Sequence, residues 1–311
     1  MIDHAILGTD FSKAIQKIIE HSGMFKAVGI KKITLVHVLN LRDLTLVEQF
    51  TIEGLEEKLQ KQKEILLQNG FEVAAELIYG IPYIELEKKR KECGADVTVV
   101  GSHGRTSSSS TIGGTIADVL QNLNAPVLVI PLEKAESAEK EMPGENFFQY
   151  EQIMRQLEKQ EPDWNLKSKE LAGHILLPTD FSDFSENTFQ RIKNLNAKLP
   201  KVTLMHVQDE VKIGKHLEHK LDEFNRIDNE RLTRLKNTLM EAHPETSVEI
   251  KIEYGKPIPI ILDFIRQNKV SLTAMGSQGR GFFAEIFIGS VSHQVARKAY
   301  SNVLVVPFPK E

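Results

Sequence analysis

Gly101-Ser102-His103-Gly104-Arg105 returns far down the chain as Gly276-Ser277-Gln278-Gly279-Arg280, and in both places nine residues separate the second glycine from another glycine with a hydroxyl residue beside it, Gly114-Thr115 and Gly289-Ser290. The first copy follows a near-continuous apolar run, Val97-Thr98-Val99-Val100, which suits a strand covered on both faces. A chain leaving such a strand emerges at the carboxyl edge of a parallel sheet, where open α/β folds bind ligands. Glycines there let the backbone take positive φ and approach a phosphate without a Cβ clash. The helix that begins at Gly114-Thr115 or Gly289-Ser290 offers its N-terminal amides and dipole to an anion. The Thr or Ser hydroxyl can cap the helix, donate to phosphate or reach a cation. A Gly-rich turn with an ordinary Ser/Thr cap is the plainer alternative for one copy. The same spacing at the same topological place twice favours phosphate contact.

Four more blocks recur in the same order. Ile6-Leu7-Gly8-Thr9-Asp10-Phe11-Ser12 returns as Leu176-Leu177-Pro178-Thr179-Asp180-Phe181-Ser182, and Thr34-Leu35-Val36-His37-Val38 as Thr203-Leu204-Met205-His206-Val207. Tyr79-Gly80-Ile81-Pro82 returns as Tyr254-Gly255-Lys256-Pro257, and Val127-Leu128-Val129 as Val303-Leu304-Val305. A period this long marks duplicated domains rather than a solenoid. In the second half the pattern predicts strands at 174–178, 202–207, 248–252, 271–276 and 303–306. It predicts helices over about 186–199, 259–268 and 290–298, and a long amphipathic one carrying Leu217, Leu221, Phe224, Leu232, Leu235 and Leu239. The first half follows the same order. Strands alternating with helices imply right-handed crossovers, hence two tandem α/β domains, each with a five-stranded parallel sheet. The expected division is 1–131, a linker at 132–170, and 171–311. The linker opens with a charge run, residues 133–141. Phe147, Tyr150, Ile153, Met154 and Leu157 then predict a short amphipathic helix docked on a domain.

Composition sets bounds on partners. With 41% apolar and 26% charged residues the 311-residue chain reads as an ordinary globular protein. A formal charge of −4 gives no basic footprint for nucleic acid or an anionic membrane. One cysteine, Cys93, forms no intrachain disulfide. The first residues lack a basic segment followed by an apolar run, and no stretch approaches the roughly 18 apolar residues of a membrane helix. The cytoplasm is the expected location.

The Gly-x2-Gly-x9-Gly-Ser/Thr pattern resembles the ATP-binding signature of universal stress proteins, and the likeness extends over both halves. Pro178-Thr179-Asp180 resembles the first-strand Pro-x-Asp of that family; Gly8 stands where the family usually has proline. The resemblance implies a Rossmann-like fold of the adenine nucleotide alpha hydrolase type. It implies that Asp180 and Asp10 contact adenosine through the ribose, that backbone groups of Val207 and Val38 meet the adenine edge, and that Gly276, Gly279, Gly289, Ser290 and Val291 hold phosphates. The matching first-half residues are Gly101, Gly104, Gly114, Thr115 and Ile116. Pro178, Thr179, Met275, Gln278 and Ser292 complete the candidate site of the second half, and Gly8, Thr9, Val100 and His103 that of the first. N-capping of the following helix is the competing role for Asp10 and Asp180. Family strands like Val127–Ile130 and Val303–Val306 pair across a homodimer, and a tandem chain can make that pairing internally as a pseudo-dimer, alone or within a larger homodimer. The implied ligand is ATP or AMP, with Mg as an accompanying ion, and the implied role is a stress-linked sensor that couples occupancy to a protein partner.

Other chemistries fit less well. Gly214-Lys215 and Gly255-Lys256 lack the Ser or Thr of a P-loop. Gly279-Arg280-Gly281-Phe282-Phe283-Ala284 fits Gly-x-Gly-x-x-Ala of NAD-binding oxidoreductases, but it follows the fourth strand rather than the first. An interaction module with vestigial nucleotide sites is the third reading. No motif pairs a nucleophile with an oriented base, so slow ATP hydrolysis or autophosphorylation is the most catalysis expected. His37 and His206 read as core or rim histidines, His103 as a phosphate neighbour, and Cys93 as a small buried side chain before Gly94. Ser107–Ser110 could accept a phosphoryl group, a flexible polar loop being the plainer account. The first spacer, 105–113, is mostly Ser and Thr, whereas 280–288 carries Phe282, Phe283, Ile286, Phe287 and Ile288. The tighter site is therefore expected in the second half.

Overall fold

A computed structural model describes residues 2–39, 49–102, 114–122, 124–131, 171–214, 219–279 and 288–308. The linker and its expected helix, the whole first spacer, residues 280–287 of the second, His103, Gly104 and Leu217 lie outside the described residues. The first half runs β1 (His4–Gly8), α1 (Lys13–Glu20), a 3-10 turn (Ser22–Val28), β2 (Lys32–Leu39), α2 (Gln49–Gln68), β3 (Glu72–Tyr79), α3 (Pro82–Cys93), β4 (Val97–Gly101), α4 (Gly114–Gln121) and β5 (Val127–Ile130). The second runs β6 (His174–Pro178), α5 (Asp183–Lys193), β7 (Lys201–Asp209), a helical turn (Glu210–Ile213), α6 (Leu221–Ala242), β8 (Ser247–Gly255), α7 (Pro257–Gln267), β9 (Leu272–Gly276), α8 (Ser290–Lys298) and β10 (Asn302–Val306).

Local sequence accounts for the boundaries. Pro82 and Pro257 open α3 and α7, where the missing N–H costs nothing and the fixed φ suits the first turn. Gly94 ends α3 at φ 67, with its amide on the Lys91 carbonyl and the Ala95 amide on the Arg90 carbonyl. That pairing satisfies the last carbonyls in a Schellman motif that needs a left-handed residue. Cys93 beside it is half-buried rather than buried, its thiol directed at the Arg90 carbonyl. The expected helix over 186–199 begins earlier and stops at Lys193. Leu195 and Leu199 remain in the core from an irregular segment, so burial there mimics helical periodicity.

The strands form one ten-stranded sheet in the order β3-β2-β1-β4-β5-β10-β9-β6-β7-β8. Within each half all pairs are parallel, and the halves meet where β5 and β10 run antiparallel, Val127 opposite Val305, Leu128 opposite Leu304 and Val129 opposite Val303. These six side chains are buried. Aliphatic side chains fully removed from water each contribute about 1.5–3 kcal/mol. One apolar cluster carries Ile2, Val28, Val97 and Leu128 from the first half together with Leu195, Leu272 and Leu304 from the second. A second cluster joins Val119, Val127 and Val129 to Val295, Val303 and Val305. The two halves thus share core on both faces of the sheet.

In each half the chain turns to opposite sides of the sheet from the central strands, β1 with β4 and β6 with β9. Such a switch point leaves a crevice beyond the carboxyl ends of the strands. The β6–β9 ladder stops at Leu176 opposite Thr273, ahead of Pro178, which has no N–H to donate. With Gly8 at the matching place, the β1–β4 ladder runs one pair further, to Leu7 opposite Val99. Among the described residues no helix is long and apolar enough to cross a membrane.

Candidate nucleotide site

The crevice of the second half is a cavity of about 670 Å³. All twelve second-half candidates line it: Pro178, Thr179, Asp180, Val207, Met275, Gly276, Gln278, Gly279, Gly289, Ser290, Val291 and Ser292. They come from four places in the sequence, the ends of β6, β7 and β9 and the start of α8. The volume is in the range of small-molecule and cofactor sites.

The loop after β9 is built by close approach. A Cβ at Gly276 would lie 2.8 Å from the Phe184 Cβ and 2.9 Å from its carbonyl carbon and oxygen, so glycine is what lets α5 pack onto β9. A Cβ at Gly279 would lie 2.5 Å from a carboxylate oxygen of Asp180. None of Gly276, Gly279 and Gly289 has positive φ, which corrects the expectation that these glycines serve left-handed backbone. Gly289 is the N-cap of α8 at φ −63 and ψ 148, with no side-chain bond to the first turn. The cap is therefore glycine and not the Ser290 hydroxyl. Its amide donates to the Ser277 carbonyl at 2.7 Å, and Ser292 Oγ donates to the Gly276 carbonyl at 2.6 Å, tying the two ends of the loop together. The N-terminal dipole of α8 thus faces the cavity without a side-chain cap to oppose an anion. Ile288 and Val291 pack against the apolar cluster beneath.

The β6 end is equally determined. The Thr179 amide donates to the Met205 carbonyl at 2.8 Å, and Thr179 Oγ1 accepts from the Phe181 amide at 3.0 Å. Asp180 Oδ1 accepts from the Ser182 amide and hydroxyl at 3.1 and 2.6 Å. Ser182, not Asp180, caps α5, accepting from the Ser185 amide. The first half repeats the arrangement: Asp10 Oδ1 accepts from the Ser12 amide at 2.9 Å, and Ser12 caps α1. The competing cap role is thus filled by the serine two residues on. Phe11 and Phe181, next to the aspartates, both have φ 58. Left-handed backbone at a non-glycine residue costs roughly 1–2 kcal/mol, so packing must hold it.

Several lining residues escaped the sequence reading. His206 Nδ1 donates to the Thr179 carbonyl at 2.7 Å, and its Nε2 lies 3.5 Å from Asp228 on α6. Gln208 donates to the same Asp228 oxygen at 2.9 Å, and Arg231 is 3.7 Å from the other. Gln208 and Asp228 are buried at 4% and 8% exposure, and each supplies what the other lacks. Pro257, Ile261 and Phe224 add apolar wall. The recurrence of His37 as His206 was visible in the sequence and was the available signal. Asp228 and Arg231 recur in nothing and had none.

In the first half Gly8, Thr9 and Asp10 lie at the end of β1, Val38 within β2, Val100 and Gly101 at the end of β4, and Gly114, Thr115 and Ile116 in the first turn of α4. His37 Nδ1 donates to the Thr9 carbonyl at 2.7 Å, as in the second half. Thr9 Oγ1, however, is engaged by buried Gln62 at 2.8 Å, whereas Thr179 Oγ1 bonds Ser185 Oγ. Among the described residues no group of three His, Cys, Asp or Glu side chains could hold a metal ion.

Comparison with known proteins agrees with this architecture. The family model described as "Universal stress protein family" matches residues 1–131 and 172–307. Universal stress protein MJ0577 of Methanocaldococcus jannaschii is 28% identical over 146 residues, covering 39% of this chain and 90% of the relative. Universal stress protein YxiE of Bacillus subtilis is 29% identical over 148 residues, 44% of this chain and 99% of its own. A universal stress protein from Archaeoglobus fulgidus has a crystal structure similar over 99% of both chains, with TM-score 0.66 and 20% identity, a likeness of fold.

Proposed function

This chain belongs to the universal stress protein family, and from that premise we propose that it binds an adenine nucleotide, ATP or AMP, in the cavity of its second half. The observation that carries the reading is the convergence of the twelve candidates on one cavity whose floor is a glycine loop and whose end is the start of α8. Phosphate sits against the loop amides and the first turn of α8. The Asp180 carboxylate accepts from the ribose hydroxyls, and the backbone at Val207 meets the base. A Cβ at Gly279 would strike the Asp180 carboxylate, so the sugar and phosphate ends are kept together in this loop.

We divide the chain into domains at 1–131 and 171–311 with a linker between, and rank the second domain the tighter binder. Its spacer carries four phenylalanine and isoleucine residues between 282 and 287 where the first carries Ser and Thr. A loop that must be ordered on binding costs about 1–2 kcal/mol per residue. The role that fits is a stress-response regulator whose occupancy is read by a protein partner in the cytoplasm, with little or no turnover. Titration calorimetry with ATP, ADP, AMP and NAD tests the reading: an adenine mononucleotide binds at about micromolar or tighter affinity. Binding of NAD alone overturns it in favour of a dinucleotide enzyme.

A further inference from the structure

Among the described residues three that are not glycine have positive φ, and two of them, Phe11 and Phe181, occupy the same place in the two halves. Each follows the aspartate of its site and precedes the serine that caps the next helix. The partners are also duplicated. The Phe11 ring lies 4.3 Å from the His37 ring and the Phe181 ring 4.7 Å from the His206 ring, both tilted by 39°. Each histidine is fixed by its Nδ1 on the carbonyl of Thr9 or Thr179, and each phenylalanine amide donates to the hydroxyl of that threonine. In the second half the Arg231 guanidinium adds a cation over the Phe181 ring at 5.2 Å.

A left-handed residue at this point sets the direction of the carboxylate before it. Returning φ at 181 to the ordinary negative region would turn the chain by roughly 120° about one bond. With Ser182 held at the start of α5, that turn carries Asp180 away from Gly279, against which its carboxylate now lies. A conformation that L side chains rarely adopt, kept in two copies with the same ring, histidine and threonine, is a constrained one.

We propose that Phe181 is a positioning residue for the nucleotide site: its ring, packed at a tilt against His206, holds residue 181 in the left-handed backbone, and that backbone aims Asp180 at the ribose hydroxyls. Phe11 does the same for Asp10. The inference rests on the nucleotide reading above. It is tested with two substitutions that rank oppositely under positioning and under packing. Phe181→Gly removes the ring but adopts left-handed backbone freely, whereas Phe181→Val keeps apolar bulk and resists that backbone. Calorimetric titration of AMP into the full chain, below the melting temperature of each variant, is expected to show F181V weakened about tenfold and F181G within about threefold of the unsubstituted protein. In an Asp180→Ala background F181V changes affinity by less than about twofold, because the group it misdirects is gone. F181G binding more weakly than F181V, F181V binding as tightly as the unsubstituted chain, or full additivity with D180A overturns the inference while leaving nucleotide binding intact. Failure of the unsubstituted chain to bind any adenine nucleotide overturns both.

Discussion

The two halves share a strand order, a glycine spacing and an aspartate followed by a left-handed phenylalanine, and they differ in what surrounds these parts. In the second half His206 is tied through Asp228 and Gln208 to α6, and Arg231 covers Phe181. In the first half Leu39 stands at the position of Gln208 in the paired strands, and the threonine before Asp10 is engaged by Gln62. Pro178 stops the β6–β9 ladder early, whereas Gly8 lets β1–β4 close one pair further toward the crevice. Duplication has preserved the glycines and the aspartate of each proposed site, while the walls and the spacer diverged.

Substitution at the helix start separates the halves most strongly. The nearest atoms to a Cβ at Gly289 lie at 3.4 Å, so a Cβ itself is accommodated there. Gly289→Leu places its bulk at the proposed phosphate position, and the expected loss of ATP affinity is at least about a hundredfold, some 2.7 kcal/mol. Gly114→Leu is expected to leave the tight site within a few-fold. Equal losses, measured by calorimetry, break the ranking of the two sites.

Asp180→Ala removes the carboxylate proposed to accept from the ribose and is expected to cost about 1.5–3 kcal/mol of binding. The Ser185 amide keeps its acceptor on Ser182, but Ser182 loses its two bonds to Asp180 Oδ1, so the stability of the nucleotide-free protein, read by melting, falls only modestly, by about 1 kcal/mol. Ser182→Ala has the converse signature, about 1 kcal/mol of stability with affinity largely kept. A large stability loss in D180A without loss of affinity would return the aspartate to a structural role.

Gly276→Ala acts on packing. Its Cβ meets backbone atoms of Phe184 at 2.9 Å, and overpacking of this kind costs about 1–3 kcal/mol. A lowered melting temperature without nucleotide is the expected result. An unchanged one would mean that α5 moves away from β9 without cost.

The smallest expected effect is on pH dependence, and it is common to both halves. Burial holds the imidazoles of His4, His174 and His293 below their ordinary value of about 6.5. The fold therefore favours neutral histidine, and the unfolded chain binds more protons. The stability so gained is complete above about pH 6.5 and is lost as pH falls from there through the lowered values of the folded state. Melting at pH 7.5 is expected above melting at pH 5.5. His4→Gln and His174→Gln, each keeping a polar group near Thr34 or Thr203, flatten the difference.

Much of this architecture is written in local patterns. The apolar runs of β4, β5, β9 and β10 need only to be recognised as strands covered on both faces, and their recurrence in order gives the tandem arrangement. The glycine loop is legible because its spacing is duplicated. What was not legible depends on contacts between distant segments. The need for glycine at 276 comes from Phe184, on another element, and not from its own φ. Propensity argues against left-handed backbone at Phe11 and Phe181, and the histidine that each ring packs against lies on the neighbouring strand, out of reach of a local pattern. Asp180 and Ser182 are equally good caps on paper, and the choice is made by which oxygen reaches the Ser185 amide. Leu195 and Leu199 extend a helical period into a segment that is not helical, because the core takes apolar side chains from loops as readily as from helices.

The account is tested most directly by identifying what the purified chain carries. Nucleotide released by denaturation from the unsubstituted protein and from G289L, purified alike and measured by mass spectrometry, compares the second site with its disabled form. The account predicts AMP or ATP from the unsubstituted chain and a large reduction from G289L. Equal adenine nucleotide from both, or a nicotinamide dinucleotide in its place, would contradict it.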